Sequence, residues 1–324
     1  MSKAIRIHEY GGPEVMRWED VPTPEPGPGE VLVKHEAVGL NYIDVYVRTG
    51  LYKAPSMPVT PGMEAAGTVT AVGPGVSEFA VGDRVVYATG PAGAYTTARA
   101  VAAERLLKLP ETIDFKTGAA MMLQGLTAQY LLKRTYKVKS GETIVVHAAA
   151  GGVGLIACQW AKHLGATVIG VVSSEAKAEL ARANGAAHTV IGHANLATEV
   201  KKITAGAMVP VVYDSVGKET FTASLDCLAP LGMMVSYGNA SGPVPPFDIG
   251  VLAAKGSLFL TRPTLATYTA KAADLAASAA ELFDVVKSGA VHIMVNQTFP
   301  LKDAAAAHAA LEARRTTGST VLLP

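Results

Sequence analysis

The segment that most constrains the fold is residues 143–161, TIVVHAAAGGVGLIACQWA, which run for 19 positions without a charged side chain. An uncharged stretch of this length could in principle cross a membrane. However, Gly151, Gly152 and Gly154 lie in its middle, its first half is rich in β-branched residues and its second half has helical spacing. The segment is therefore predicted to form a strand, a turn and a helix.

Downstream of residue 126 the chain alternates between strand-like and helix-like segments. Helices, including one over 219–229, separate most of the predicted strands, which lie at 143–148, 167–172, 188–191, 209–216, 232–238 and 257–261. This alternation is typical of βαβ units, whose parallel sheet carries helices on both faces. Residues 1–125 instead read as short strands separated by Gly and Pro, and 263–324 as Ala-rich helix, a second helix and a closing strand.

Composition and charge argue against several classes of protein. The 324 residues are enough for about two domains. Because 49% of the residues are hydrophobic and the net charge is +1, both disorder and electrostatic binding of nucleic acid are disfavoured. Two cysteines, Cys158 and Cys227, are too few for a disulfide framework, and the first ten residues contain no signal-peptide core. We therefore expect a cytoplasmic protein that makes no use of a membrane.

The turn after the first of these parallel strands resembles a dinucleotide fingerprint. Ala149, Gly151 and Gly154 stand at the three glycine positions of a GxGxxG motif, directly after a strand and at the start of a helix. In such a turn the backbone approaches a pyrophosphate and the helix N-terminus offers free N–H groups. The alternative is a glycine-rich turn selected only for tight packing.

The end of the second strand favours NADPH over NADH. An NAD site needs an acidic residue there to accept a hydrogen bond from the ribose 2′-hydroxyl, whereas a 2′-phosphate needs neutral or basic groups. Here Ser173 and Ser174 form the tip, Lys177 follows, and Glu175 lies beyond the position of the expected acceptor. Lys177 could alternatively be an ordinary solvated helix residue.

Together with further motifs, these residues resemble those of a known family, the NADPH-dependent quinone oxidoreductases related to zeta-crystallin, within the medium-chain dehydrogenase/reductase superfamily. The resemblance covers nearly the whole chain. Its motifs are YGGPEV (10–15), VGLNYIDVYVRTGLY (38–52), PGMEAAGTVTAVGPGV (61–76), VGDRVVY (81–87), HAAAGGVGLIACQWAK (147–162) and VVYDSVG (211–217).

The resemblance implies an α/β fold of two domains. A GroES-like, partly open β-barrel catalytic domain would comprise residues 1–125 and 263–324, and a doubly wound parallel-sheet (Rossmann) domain that binds NADPH would comprise 126–262, with the active cleft between them. It also implies a homodimer formed through the edge strand at 257–261. An apolar strand edge left unpaired would otherwise favour aggregation.

The chain departs from the zinc-dependent branch of this superfamily. Where alcohol dehydrogenases carry a Cys and a His that bind catalytic zinc, this sequence has Asn41 and Met63. We therefore expect no metal. Without a Lewis acid to carry alkoxide charge, the acceptor must itself be electron-poor, as a quinone or an α,β-unsaturated carbonyl is.

The resemblance also assigns residues to the acceptor side of the site. It places Asn41 and Tyr46 near the nicotinamide as catalytic residues, with Asp44, assigned to the substrate pocket, shaping the loop between them. Tyr52 would stack on a quinone or donate a proton to a reduced enone; the alternative for both tyrosines is barrel packing.

A second group of assigned residues lies in LQGLTAQY (123–130), where Gln124, Thr127 and Tyr130 recur at helical spacing. Gln124 would belong to the substrate pocket, Tyr130 would contact the cofactor, and Thr127 would contact the cofactor as a catalytic residue. The alternative for Thr127 is a cap in the first turn of a helix.

Further residues are assigned to the cofactor, and Arg262 also to the substrate pocket. They are Tyr42, Tyr46, Ala150, Gly151, Gly152, Val153, Ser173, Ser174, Lys177, His193, Val216, Tyr237, Gly238, Asn239, Ala240, Leu260, Thr261, Arg262 and Arg314. The alternative for His193 is an ordinary surface histidine that does not contact the cofactor.

The predicted activity is zinc-independent reduction of a small-molecule quinone to a hydroquinone or semiquinone by NADPH. Two alternatives remain open: an NADPH-dependent reductase of enones or alkenals, and a nucleotide-bound RNA-binding or structural protein.

Overall fold

The computed structural model describes all residues, 1–324, and the chain divides into two compact units. Unit 1 comprises residues 1–126, 268–283 and 293–324, and unit 2 comprises 127–267 and 284–292. The predicted boundaries at 125/126 and 262/263 lie within about five residues of these divisions. Sequence reasoning did not anticipate that the segment 284–292 belongs to unit 2.

The structure contains fifteen strands. They are β1 Ser2–Ile7, β2 Met16–Val21, β3 Glu30–Leu40, β4 Glu64–Val72, β5 Arg84–Tyr87, β6 Ala98–Ala102, β7 Leu107–Lys108, β8 Thr143–His147, β9 Thr167–Val172, β10 His188–Ile191, β11 Val209–Asp214, β12 Leu228–Ser236, β13 Phe259–Thr261, β14 Val295–Pro300 and β15 Ser319–Leu323.

It also contains ten α-helices. They are α1 Tyr42–Thr49, α2 Phe115–Tyr130, α3 Gly152–His163, α4 Glu175–Ala183, α5 Leu196–Ile203, α6 Phe221–Leu225, α7 Gly250–Ala254, α8 Leu265–Tyr268, α9 Ala272–Lys287 and α10 Ala304–Glu312. A π-helical turn at Leu131–Thr135 extends α2.

Unit 1 is built around a seven-stranded sheet in the order β14-β15-β3-β4-β5-β7, with β6 also paired to β3. All of its pairs are antiparallel except β14 with β15. Along strand β3, buried and less buried side chains alternate from Glu30 to Ala37, and the inward side chains join the core of the unit. Strand β15, from the far end of the chain, pairs with β3 beside the start of α1.

Unit 2 is a six-stranded parallel sheet in the order β10-β9-β8-β11-β12-β13. This is the doubly wound arrangement, in which the direction of winding reverses between β8 and β11. The strands are apolar on both faces, as expected for a sheet covered by helices, and the prediction of a parallel nucleotide-binding fold is confirmed. Residues 143–161 form strand, turn and helix as predicted.

Two local predictions are wrong. The segment between Asn41 and Tyr46 is not a loop but the first turns of α1, because Asp44 Oδ2 accepts the N–H of Asn41 at 2.9 Å and Gly50 ends the helix in the left-handed region at φ 78°. The helix predicted over 219–229 is limited to Phe221–Leu225, because β12 begins at Leu228 and pairs there with Val209.

Candidate functional site

The turn between β8 and α3 has the geometry of a phosphate-binding turn. Gly151 is the N-cap of α3, and no side chain caps this helix end, so its first N–H groups remain available to an anion. Gly154 packs so closely that a Cβ there would overlap the carbonyl of Ala148. The predicted residues Ala150 and Gly151 lie in this turn, and the predicted Gly152 and Val153 are the first residues of α3.

The end of β9 contains no acid positioned to bind a ribose 2′-hydroxyl. Ser174 caps α4 by accepting a hydrogen bond from the N–H of Lys177 at 3.4 Å, and Ser173 beside it is exposed. Glu175, the nearest acid, is held by Arg182 at 2.6 Å on the same helix. His193 is half-buried in the segment that follows the neighbouring strand β10. Hydroxyl groups and the basic Lys177 therefore lie at the tip of β9 and the start of α4.

Asp214 organises the segment after β11 and was missed by sequence reasoning. Its buried carboxylate accepts the N–H groups of Val216 at 2.7 Å and Gly217 at 3.1 Å, and the hydroxyls of Thr220 and Ser224, both at 2.7 Å. The available signal was an acidic residue at the end of an apolar strand, in VVYDSVG. Through these bonds Asp214 fixes the backbone at Val216, which is a predicted cofactor residue.

His147, at the end of β8, belongs to the same network. Its Nε2 lies 2.9 Å from the Ser224 hydroxyl, whose proton is donated to Asp214. Burial lowers the pKa of His147, whereas the charge of Asp214 acts in the opposite direction. A neutral ring that donates to Ser224 satisfies this geometry, so His147 supports the turn from within the core.

The ends of β12 and β13 lie beside this segment. Gly238 approaches Ser215 so closely that a Cβ would overlap its carbonyl oxygen. Arg262 donates to the carbonyl of Ser236 at 2.8 Å, and the Asn239 amide, oriented so that both of its ends are paired, accepts from Arg262 at 3.1 Å.

The carboxyl ends of the parallel strands thus gather most of the predicted cofactor residues, which is where ligands bind in doubly wound sheets. Those at β12 and β13 are Tyr237, Gly238, Asn239, Ala240, Leu260, Thr261 and Arg262.

In unit 1, a hydrogen-bonded chain runs through Asn41. Asn41 Nδ2 donates to Glu64 Oε1 at 2.5 Å, Gln124 Nε2 donates to Asn41 Oδ1 at 3.1 Å, and the Ser319 hydroxyl donates to Gln124 Oε1 at 2.7 Å. The N–H of Leu123 donates to the other carboxyl oxygen of Glu64 at 2.6 Å. We refer to Ser319, Gln124, Asn41 and Glu64 as the amide chain.

Asp44 is fully buried beside the amide chain, and burial raises its pKa to about 7. Its Oδ2 accepts the hydroxyl of Tyr95 at 3.0 Å as well as the N–H of Asn41. The Tyr95 hydroxyl lies 3.0 Å from Nε2 of His308, and Arg48 lies 3.1 Å from the Nδ1 of that ring. Burial lowers the pKa of His308 to about 3, so the neutral ring accepts from Arg48 and donates to Tyr95.

Three tyrosines form a row along α1 and the segment after it. The ring centroids of Tyr42 and Tyr46 are 5.6 Å apart, and those of Tyr46 and Tyr52 are 5.2 Å apart. Tyr46 is buried, whereas Tyr52 is 38% exposed. Burial and the charge of Glu312 raise the pKa of Tyr42, and Arg314 opposes this, which places the predicted Arg314 near the start of the row.

The predicted helical residues fall in the last turns of α2. Gln124 belongs to unit 1 through the amide chain, whereas Thr127 and Tyr130 are buried in unit 2. Since α2 begins at Phe115, Thr127 lies well inside the helix and the alternative of an N-terminal cap is wrong.

Sequence reasoning missed the buried polar groups that hold the predicted residues. These are Glu64, Ser319, Arg48, Tyr95, His308 and Asp214. For Glu64 the signal was a carboxylate at the start of the apolar strand EAAGTVTAV.

Across residues 1–324, no group of three or more His, Cys, Asp or Glu side chains is arranged to hold a metal ion. No helix combines the length and the apolar character that a membrane crossing requires.

Two family models match the chain. The alcohol dehydrogenase GroES-like domain matches residues 27–134, and the zinc-binding dehydrogenase model matches residues 152–282. These matches confirm the predicted pair of folds. The second model carries zinc in its description, although the positions that bind catalytic zinc in alcohol dehydrogenases hold Asn41 and Met63 here.

Individual relatives cover the whole chain. A quinone oxidoreductase from Pseudomonas aeruginosa is 56% identical over 100% of both chains. A 2-haloacrylate reductase from a Burkholderia species is 47% identical over 100% of this chain and 99% of its own. The crystal structure of the Escherichia coli quinone oxidoreductase in complex with NADPH is 46% identical and superposes with a TM-score of 0.97 over 100% of both chains. With identities this high over its full length, the chain belongs to the quinone oxidoreductase family of the medium-chain dehydrogenase/reductase superfamily, as its motifs predicted.

Proposed function

We propose that this protein is an NADPH:quinone oxidoreductase that works without zinc. The observation that carries the proposal is the cofactor edge of unit 2: an uncapped α3 N-terminus beside a β9 tip whose nearest acid, Glu175, is held by Arg182. NADPH, when bound, supplies a hydride, and the overall reaction consumes one quinone and one proton and yields a hydroquinone and NADP⁺. The full-length similarity to quinone oxidoreductases supports this reaction.

The residues of unit 2 hold the cofactor in this proposal. The N–H groups of Gly152 and Val153 at the start of α3 bind the pyrophosphate, and Lys177 with Ser173 binds the 2′-phosphate. Asp214 keeps the Val216 segment in place along the nucleotide. Backbone and side-chain groups of unit 2 therefore bind and orient the cofactor together.

Unit 1 receives the acceptor. The rings of Tyr46 and Tyr52 give a flat aromatic surface suited to a quinone, and Asn41 supplies an oriented amide. Because Asn41 and Met63 stand where the related alcohol dehydrogenases bind zinc, the acceptor must delocalise its own developing charge, which a quinone does on becoming aromatic.

A second candidate is the reduction of α,β-unsaturated carbonyl compounds. It is favoured by the 47% identity to a 2-haloacrylate reductase and by the partial exposure of Tyr52, whose hydroxyl could protonate a reduced enone.

The test is NADPH consumption by chelator-treated protein with 1,4-benzoquinone, a larger ortho-quinone, a 2-alkenal and 2-haloacrylate, each repeated with NADH. Fast turnover of the quinones with NADPH supports the proposal, and preference for the alkenal or haloacrylate favours the second candidate. Tyr52→Phe should slow enone reduction more than quinone reduction if Tyr52 donates a proton. Tyr10→Phe, at 39% exposure a tyrosine outside the row, is the matched control.

We also propose that two copies pair through β13. This strand is the edge of the parallel sheet, and Phe259 on it is 56% exposed. Phe259→Lys should yield a monomer in light-scattering measurements, whereas Val81→Lys, at an exposed apolar position in unit 1, should not change the mass.

A cytoplasmic location is proposed from cysteine usage. Cys158 and Cys227 are both buried as free thiols, which suits a reducing compartment. Fractionation of the native host with antibody detection tests this, and recovery from an oxidising compartment would contradict it.

A further inference from the structure

The amide chain of unit 1 has a single direction. From Ser319 through Gln124 and Asn41 to Glu64, every donor points toward Glu64, so each amide gives its N–H forward and accepts with its oxygen from behind. An Asn or Gln amide has a donor end and an acceptor end, so turning one over in such a chain forces its neighbours to turn as well.

Glu64 decides which direction the chain takes. Its Oε2 receives the N–H of Leu123 and must therefore act as an acceptor. When the carboxylate is ionised, Oε1 is an acceptor too and takes the Nδ2–H of Asn41. When a proton occupies Oε1, that oxygen donates, and Asn41 must present its own oxygen instead. The Gln124 amide must then rotate so that its oxygen accepts from Asn41 and its NH₂ group faces Ser319. The Ser319 hydroxyl can accept this hydrogen bond because a hydroxyl acts as donor or acceptor.

We propose that Glu64 is a positioning residue whose protonation state selects which end of the Asn41 amide is presented to the electron acceptor. The inference rests on the proposed function, in which Asn41 lies beside the acceptor. The orientation in the structure, with the Asn41 amide N–H on Glu64, is that of the ionised form and is the one expected to be active.

The packing around Glu64 leaves its carboxyl little room to move. Glu64 is fully buried, and a Cβ on Gly39 across the strand pair would overlap its side chain, so position 39 must remain glycine for the carboxyl to lie there. Because this buried carboxyl has no room to rotate toward water, a proton added to it must be accommodated by reorientation of the neighbouring amides in the amide chain.

The charges and burial around Glu64 set the pH range in which its carboxyl gains or loses a proton. The pKa of Glu64 is raised to about 8, mainly by burial; the charge of Asp44 acts in the same direction, and the N–H donors of Leu123, Asn41 and Met122 act in the opposite one. The titratable groups that face Glu64 are Asp44 from α1, Tyr87 from β5 and Tyr95 before β6. The pKa values of both tyrosines are raised above their ordinary value, so the tyrosines stay neutral while the two carboxyls titrate as an interacting pair.

The decisive variant is Glu64→Gln. The glutamine keeps the shape and offers its oxygen to the N–H of Leu123, which leaves an NH₂ group facing Asn41 at every pH. We expect kcat for quinone reduction to fall roughly tenfold to a hundredfold, with NADPH affinity unchanged. Wild-type kcat should rise with pH through the titration of the pair, and this rise should be absent in the variant.

Glu30→Gln is the matched control, since Glu30 is a half-buried carboxylate on the neighbouring strand that also accepts a backbone N–H, from Gly27. It should leave kcat and its pH profile unchanged. A folded Glu64→Gln protein with wild-type kcat and a wild-type pH profile would overturn the inference.

A second readout does not depend on activity. The side-chain NH₂ resonances of Asn41 and Gln124 in NADPH-loaded wild type, assigned by comparison with Asn41→Asp and Gln124→Glu, should shift together between about pH 6 and pH 9. Resonances that stay constant over this range would overturn the inference even if Glu64→Gln fails to fold. If the wild type reduces no quinone, the proposed function fails, and these resonances still decide whether Glu64 directs the amide chain.

Discussion

Gly39 lies opposite Glu64 in the β3–β4 ladder, and its missing side chain is the space that the Glu64 carboxyl occupies. The carbonyl of Ala119 on α2 closes the same space from the other side. The α2 backbone and the Glu64 carboxyl therefore both pack against the position where any residue other than glycine would carry its Cβ on β3.

Gly39→Ala should consequently destabilise the protein by about 3 kcal/mol, because the added methyl group must displace either the carboxyl or the α2 backbone. Urea unfolding measures this loss. Gly27→Ala, whose methyl group would meet only the flexible end of Glu30, is the control and should cost much less. Equal losses in the two variants would contradict this account.

Stability should fall as the pH rises from about 6.5 to about 8 and level off above that, where both carboxyls are ionised in the folded protein as well. The folded-state pKa values of Glu64 (about 8) and Asp44 (about 7) are raised by burial, so over this range the folded protein retains protons that the unfolded chain has already released. Each carboxyl contributes a downward slope of at most about 1.4 kcal/mol per pH unit. His308, whose pKa burial lowers to about 3, acts in the opposite sense only at more acidic pH.

The measurement is the free energy of unfolding at several pH values in wild type, Glu64→Gln and Glu30→Gln. The slope should be shallower in Glu64→Gln alone. A slope that is identical in all three proteins would show that Glu64 does not titrate as described.

Lys177→Ala should weaken NADPH binding much more than NADH binding, because only NADPH carries the 2′-phosphate that Lys177 is proposed to bind. Fluorescence titration with both nucleotides gives the ratio. Lys201→Ala, at an exposed position on α5, removes the same charge elsewhere in unit 2 and should affect neither. Equal weakening of the two nucleotides by Lys177→Ala would exclude this role.

Asp214→Asn should loosen the segment that carries Val216, since an amide cannot accept all four hydrogen bonds that Asp214 receives. We expect NADPH affinity to fall about tenfold. Ser224→Ala removes one of the four donors and leaves both backbone N–H bonds, so it should have a smaller effect on binding. The reverse order would show that the backbone bonds are not what positions the segment.

Arg48→Met should destabilise unit 1 by roughly 3 kcal/mol or more, because it leaves His308 and Glu312 without their buried cationic partner. Chemical denaturation measures the change. Arg17→Met, at an exposed position on β2, is the control and should be nearly neutral. A similar small loss in both would mean that Arg48 contributes little beyond its packing.

The sequence predicted the strands and turns that depend only on residues close together in the chain. The strands β9 and β10 were placed at their observed bounds because short apolar runs between turn residues need no distant information. The glycine turn was recognisable for the same reason. Helix α1 was missed because its start depends on polar groups of Asn41 and Asp44, and its short sequence YIDVYVRT has β-branched residues that resemble a strand or a loop.

The contacts around Asn41 could not be predicted, because its partners are distant in sequence. Glu64 is 23 residues away, Gln124 is 83 away, and Ser319 follows Gln124 by 195 residues. The resemblance to the family named Asn41 and Gln124 but not the acid that joins them. A buried charge in a strand indicates that a partner exists without identifying it.

The position of Ser319 also sets the order in which a growing polypeptide can acquire its properties. Residues 127–267 and 284–292 of unit 2 are synthesised before β15, which carries Ser319 and pairs with β3. A ribosome-bound chain that has not yet released β15 therefore holds every residue of the nucleotide-binding sheet, but its amide chain still lacks one end. Nascent chains of this length should retain NADPH on an affinity column well before they can turn over a quinone.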